Sequence, residues 1–224
     1  MRKNYPLYKN IGIHVIASLF TVDKGEVKIL LVKRNNEPYK DMWALPGGAL
    51  YNNETLEEGI TREIFEKSGL TDIKVYNSGI FDNLDRSPIM RMIAISYIGV
   101  IDINKVNVLK KTLKTNDSDW APIDKVGKLA YDHNEILNQG LNTLKDLIVT
   151  TDILKNLFPS GFTIPEVQKT YEAILEKQFD RRNFRKKLLS LDLIKDTNKE
   201  IVFEGRKPAK LYRFNNKRSN KNVL

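Results

Sequence analysis

The segment Gly48–Leu70, GALYNNETLEEGITREIFEKSGL, prescribes a turn, a capped helix and a stop within 23 residues. Thr55 and Glu58 stand at the spacing of a capping box. In that motif the Thr side chain accepts from the backbone N–H three residues on, and the Glu reaches back to the Thr N–H. Leu56, Ile60 and Ile64 recur at the spacing of one buried helix face, and Gly69 supplies the C-terminal stop. Gly59, inside the helix, costs about 1 kcal/mol relative to Ala. Such a cost predicts close packing or a ligand's approach at that position. Just upstream, Gly47-Gly48 lets the backbone turn where a side chain would clash.

The flanking sequence reads as strands. Ile11–Val22 and Val27–Val32 are β-branched and aromatic runs joined by the hairpin-type turn Asp23-Lys24-Gly25. Residues 73–81 and 89–101 read likewise, and a helix is predicted over Asn134–Leu147. Residues 1–148 thus form a mixed α/β domain. No apolar run approaches the roughly 20 residues a membrane span needs, no signal peptide is evident, and cysteine is absent. These features predict a soluble, cytoplasmic chain with no membrane partner.

Glu63 and Glu66 are three apart on the predicted helix, so their carboxylates share a face, and Glu54 lies just before the N-cap. Hard cations such as Mg²⁺ take oxygen from a few carboxylates plus substrate phosphates. Glu54, Glu63 and Glu66 are therefore the candidate metal ligands. The segment resembles the Nudix box, G-x5-E-x7-R-E-U-x-E-E-x-G-U with U aliphatic. Gly48, Glu54, Arg62, Glu63, Ile64, Glu66, Gly69 and Leu70 all fall at its positions. The resemblance implies a Nudix-type α/β/α sandwich and Mg²⁺- or Mn²⁺-dependent hydrolysis of a nucleoside diphosphate linked to another group.

Lys67 departs from that pattern, standing where the box has a second adjacent glutamate. An ammonium there opposes divalent-cation binding, leaves Glu63 and Glu66 as weak or vestigial catalytic groups, and offers a contact to a ligand phosphate. Ligand binding without efficient turnover is the favoured reading. The alternatives are an active Mg²⁺-dependent hydrolase of the ADP-ribose pyrophosphatase type, and an inert box with Glu63 and Glu66 solvated or paired with Arg62. The ligand-binding set so predicted is Arg34, where Nudix proteins often place a phosphate-contacting arginine, with Gly47, Gly48, Arg62 and Lys67, and Arg86 and Arg91 of LDRSPIMR. His14, in an apolar strand, reads as a core residue.

Charge separates the last third of the chain from the rest. Residues 151–224 carry 17 Lys+Arg against 9 Asp+Glu, leaving 20 against 19 for residues 1–150 out of totals of 37 and 28. That asymmetry points to a neutral module joined to a basic one. Within the basic part, Thr163-Ile164-Pro165-Glu166 is a second capping box with Pro in the first turn. Asp180 can cap a further helix with Phe184, Leu188 and Leu191 on its apolar face. Glu200–Phe203 and Lys210–Phe214 read as two short strands. Helix, helix and hairpin outline a small winged helix-turn-helix domain over residues 149–215, with residues 216–224 expected to be a disordered tail. Recognition helices read base edges mainly from their N-terminal residues, Arg pairing with guanine and Asn with adenine. The predicted DNA-binding set is Arg181, Arg182, Asn183, Arg185 and Lys186 on the helix, with Arg206 and Lys207 at the hairpin tip for phosphate.

The stretches FTIPEVQKTYEAIL, FDRRNFRKKL and GRKPAKLYRF resemble the C-terminal domain of Nudix-related transcriptional regulators. Leu84–Pro88 and Ala130–His133 resemble that family's N-terminal domain. The resemblance implies a homodimeric DNA-binding regulator, most often a repressor of NAD-metabolism genes, acting on palindromic double-stranded sites. It implies ADP-ribose as effector, or in some relatives a sugar such as arabinose.

Overall fold

The computed structural model describes residues 11–202 and 207–215. Strands β1 (Gly12–Asp23), β2 (Glu26–Arg34), β3 (Trp43–Ala44) and β4 (Gly47–Ala49) precede helix α1 (Leu56–Ser68). Then come β5 (Val75–Phe81), β6 (Met92–Val100), β7 (Thr115–Pro122) and helix α2 (His133–Thr150). Helices α3 (Ile164–Leu175) and α4 (Arg181–Ser190) and the hairpin β8 (Ile194–Ile201) and β9 (Ala209–Phe214) complete the chain.

The first seven strands form one sheet in the order β3-β2-β1-β6-β5, with β4 paired to β1 and β7 to β2. β1 is central, and all of Val15–Thr21 is buried, so its run is apolar rather than alternating. Helix α1 begins at the capping box: the Glu58 N–H donates to Thr55 Oγ1 at 3.2 Å, and the Thr55 N–H donates to Glu58 Oε2 at 2.7 Å. It ends at Gly69, in the left-handed region at φ 75°. Its buried face is Gly59, Ile60, Glu63, Ile64 and Ser68; the predicted stripe loses Leu56, which is exposed in the first turn.

Two glycine expectations gain a physical reason. A Cβ on Gly59 would sit 2.5 Å from Leu50 Cδ1 and 3.1 Å from Glu54 Oε1, so close packing accounts for that residue. Gly47 and Gly48, expected at a turn, lie instead in β4 opposite Ile16 and Val15. Their need is space: a Cβ on Gly48 would fall 2.5 Å from the Glu63 carboxylate.

Elsewhere the strand predictions shift. The 89–101 strand contracts to Met92–Val100. β7, TNDSDWAP, is a strand whose polar sequence carries no strand pattern. The first wing strand is Ile194–Ile201 rather than Glu200–Phe203. Its polar IKDTNKEI sequence has low β propensity, and a bulge between Asp196 and Lys199 interrupts the alternation.

Contacts divide the chain into two compact units. The first takes in Ile29–Gly99 and Asn107–Gly140 with most of β1; the second takes in Thr21–Lys28, Val100–Val106 and the chain from Leu141. Helix α2 therefore starts in one and ends in the other. Within the second unit, α3 is capped by Thr163 and Glu166, with Pro165 in the first turn, and α4 by Asp180, which accepts from the Asn183 N–H at 2.8 Å. Val167, Tyr171, Ile174, Phe184 and Leu188 are buried, the Tyr171 and Phe184 rings meet at 5.6 Å, and Tyr171 donates its hydroxyl to the Ile148 carbonyl at 2.9 Å. The β8–β9 hairpin joins through a bridge between Tyr212 and Phe162. No helix among the described residues is long and apolar enough to cross a membrane.

Candidate ligand pocket and DNA-binding face

The glutamates of α1 are organised by one arginine. Arg62 binds Glu54 with two nitrogens, Nε to Oε2 at 2.8 Å and Nη2 to Oε1 at 2.6 Å. Its Nη1 reaches Glu63 Oε1 and, at 2.9 Å, Glu66 Oε2, and its guanidinium lies 3.8 Å over the Tyr51 ring. Hydrogen bonding to Arg62 holds Glu54 down to about 2, and the same bonds raise Arg62 above its ordinary value. Lys114, on the approach to β7, donates to Glu66 Oε2 and lies 3.9 Å from Glu63 Oε1. Glu63 is buried, and its Oε2 has no protein partner.

Beside this cluster is a cavity of about 220 Å³ lined by His14, Arg34, Gly47, Gly48, Lys67, Lys114, Tyr131 and His133, among others. Arg34 leaves the end of β2, donates to the Pro38 carbonyl at 2.9 Å, and sets its guanidinium 5.0 Å from the Tyr131 ring centroid. Tyr131 stacks on His133, and the Tyr39 ring meets it edge-on at 4.7 Å. The cavity thus has an aromatic wall, three cationic side chains, Arg34, Lys67 and Lys114, and one carboxylate, Glu37, a net positive lining that favours an anionic group.

The sequence-predicted residues divide accordingly. Arg34, Gly47, Gly48 and Lys67 line the cavity. Arg62 does not; it is consumed by the three carboxylates. Arg86 is fully buried and forms a two-bond pair with Asp132 at 2.9 Å each, leaving Nη1 without a partner. Arg91 braces the loop after β5 by donating to the carbonyls of Asp82 at 2.6 Å and Asn83 at 3.0 Å, and it is not in the cavity wall. His14, expected in the core, is half-buried at that wall. Lys114 was missed; a lysine in the polar run KKTLKTND carries no signal until the fold brings it to Glu66.

Both histidines resist protonation. Burial, reinforced by Arg86, lowers His14 to about 4 and His133 to about 3, and His133 Nδ1 accepts the Leu45 N–H at 3.0 Å. The unfolded chain binds protons at these sites from about pH 6.5 downward, while the folded chain does not until near pH 4. Stability is therefore complete above pH 6.5 and falls as pH drops below it. The step from pH 6.5 to 5.5 should cost about 1 kcal/mol per histidine. Thermal melts across that range check this; an unchanged midpoint would contradict it. The depressed carboxylates, Glu54 among them, act lower, below about pH 4.5.

Among the described residues, no group of three or more His, Asp or Glu side chains is disposed to hold a metal ion. The donor set explains why. Glu54, Glu63 and Glu66 face Arg62 and Lys114, and Lys67 occupies the position of a fourth carboxylate. Three carboxylates meet three cations, so a hard dication gains no net field there. One buried carboxylate oxygen, Glu63 Oε2, is left without a partner, and a single such donor among three cations does not make a Mg²⁺ site.

In the second unit, Arg181, Arg182, Asn183, Arg185 and Lys186 are all exposed along α4, opposite buried Phe184 and Leu188. Lys207 is exposed at the hairpin; Arg206 lies outside the described residues. A concave surface of about 530 Å³ is lined by Thr163, Pro165, Lys169, Arg181 and Lys207 together with Glu166 and Glu172. Both glutamates have structural work, Glu166 in the cap of α3 and Glu172 accepting from Gln168 and the Phe179 N–H.

A family model for the Nudix domain matches residues 12–139, and one for the NrtR DNA-binding winged helix domain matches residues 155–214. The chain belongs to the Nudix-related transcriptional regulators. An ADPR responsive transcriptional repressor, NtrR, of Acinetobacter baylyi is 29% identical over 88% of this chain and 79% of its own length. The crystal structure of Shewanella oneidensis NrtR with a 27mer DNA matches at a TM-score of 0.78, 26% identity, 95% of this chain and 99% of that one. The Nudix domain of the same Shewanella protein, complexed with ADP ribose, matches at 0.57 and 25% identity over 64% of this chain and 94% of that one. An ADP-ribose pyrophosphatase of Methanocaldococcus jannaschii is 33% identical over 60% of this chain and 76% of its own length. The regulator fold, a Nudix α/β domain followed by a winged helix, is the one described above.

Proposed function

We infer that the protein is a cytoplasmic, homodimeric repressor that binds a palindromic operator through α4 and the β8–β9 wing and is controlled by ADP-ribose in the Nudix pocket. The observation that carries this reading is the union of two features in one chain. One is the cationic, aromatic-walled cavity beside a neutralised Nudix box; the other is a capped helix exposing Arg181, Arg182, Asn183, Arg185 and Lys186. Arg34, Lys67 and Lys114 suit a diphosphate better than an uncharged pentose, which weighs against a sugar effector.

Ligand in the pocket changes the spacing of the two recognition helices of the dimer against half-sites one helical turn apart. The likeness to an ADP-ribose pyrophosphatase favours a second reading, a working hydrolase with a basic accessory domain. Mg²⁺-dependent release of AMP at ordinary enzyme rates would select it.

Retention of sheared genomic DNA on the full-length protein at moderate salt, with sequencing of the retained fragments, tests the first reading. One or a few enriched palindromes are expected. Diffuse retention that vanishes with added salt would reduce the basic domain to phosphate attraction and overturn it.

A further inference from the structure

The Nudix fold leads one to expect a divalent cation bridging carboxylates and ligand phosphates, and the residues here do not provide for one. Glu66 Oε2 already accepts from both Arg62 and Lys114. Glu63 Oε1 accepts from Arg62 and lies 3.9 Å from the Lys114 ammonium. Lys67 stands one residue beyond Glu66 and lines the same cavity as Lys114 and Arg34. A dication entering this space would meet two ammonium groups and a guanidinium against the single carboxylate of the lining, Glu37. A diphosphate entering it would meet the same three as counter-ions, with charge-assisted hydrogen bonds available from each.

We propose that this pocket binds the diphosphate of its ligand without a metal ion, the ammonium groups of Lys67 and Lys114 standing in the place of the divalent cation. The assignment rests on the ligand reading above and goes beyond it by naming what neutralises the phosphates. It also gives a reason for binding without turnover. Fixed ammonium groups balance the charge of the ground-state diphosphate, yet they supply neither a metal-activated water nor a Lewis acid at phosphorus. A sensor built this way responds to its ligand at any Mg²⁺ level and does not destroy it.

Calorimetric titration of the full-length protein, first in EDTA and then in millimolar Mg²⁺, decides the matter with ADP-ribose and inorganic pyrophosphate as probes. ADP-ribose affinity is expected to agree within about twofold between the two conditions. Affinity at least tenfold weaker in EDTA would overturn the metal-free site and leave the ligand reading intact. Pyrophosphate binding in EDTA without ADP-ribose binding would keep the site and discard ADP-ribose. Binding of neither probe under either condition would overturn both. In Lys67→Glu, with folding verified by its melting transition, ADP-ribose affinity in EDTA is expected to fall at least tenfold. Wild-type affinity of this variant in EDTA would contradict the role given to Lys67.

Discussion

Arg86→Met is expected to destabilise the protein by about 3–5 kcal/mol, the cost of leaving one member of a buried ion pair behind. The Arg86 side chain is 0% exposed and Asp132, its two-bond partner, only 10%. Removing the guanidinium strands a carboxylate where water cannot solvate it. For a chain of this size each kcal/mol moves the melting midpoint by roughly 2–4 °C, so a fall of about 6–20 °C should be seen. Replacing both partners, Arg86→Met with Asp132→Leu, should recover most of the loss, because the stranded charge is gone. The same guanidinium, second to burial, helps to lower His14 and His133, so its removal should raise the pH at which the folded chain begins to protonate them above about 4 and about 3. A single-variant loss below about 1 kcal/mol would mean the pair behaves as a surface one.

On the DNA side, Arg181→Ala and Arg182→Ala should each cost about 1–3 kcal/mol of operator affinity, roughly 5- to 150-fold, if each reads a base. These residues stand in the first turn of α4, the part of a recognition helix that meets base edges, and both are exposed. Affinity for an unrelated duplex should change far less. Lys207→Ala should behave in the opposite way, weakening all sequences alike and lowering the salt slope by about 1. Fluorescence anisotropy with operator and scrambled duplexes at several salt concentrations separates the two behaviours. Equal losses on both duplexes for the α4 arginines would assign them to phosphate.

The parts of this protein that were legible in its sequence are those written over short spans. The capping boxes at Thr55 and Thr163, the Asp180 cap and the Gly69 stop each complete themselves within a few residues, and all four stand where expected. The Nudix box is likewise local, so Glu54, Arg62, Glu63 and Glu66 arrive together once its helix forms. What spacing could not show is which partner each charge would take across the fold. Lys114 meets Glu66 from 48 residues away, and Arg86 meets Asp132 across 46. That is why Arg62, from the box pattern, and Arg86 and Arg91, from LDRSPIMR, stand together as candidate ligand residues, although in the fold Arg86 pairs with Asp132, Arg91 braces a loop and Arg62 binds the glutamates of the box. β8 escaped for a related reason: a polar, bulged wing strand is held by its pairing with β9 rather than by its own side chains.

Coupling between one ligand site and one DNA site is testable in a single measurement, because linkage is reciprocal. ADP-ribose should be titrated calorimetrically into the free protein and into protein saturated with its selected operator duplex. If ligand releases DNA, its affinity for the DNA-bound form must be weaker by the same factor by which it weakens operator binding, typically about 5- to 150-fold. Equal affinity for the two forms would contradict the account, leaving a pocket and a winged helix that share a chain but not a switch.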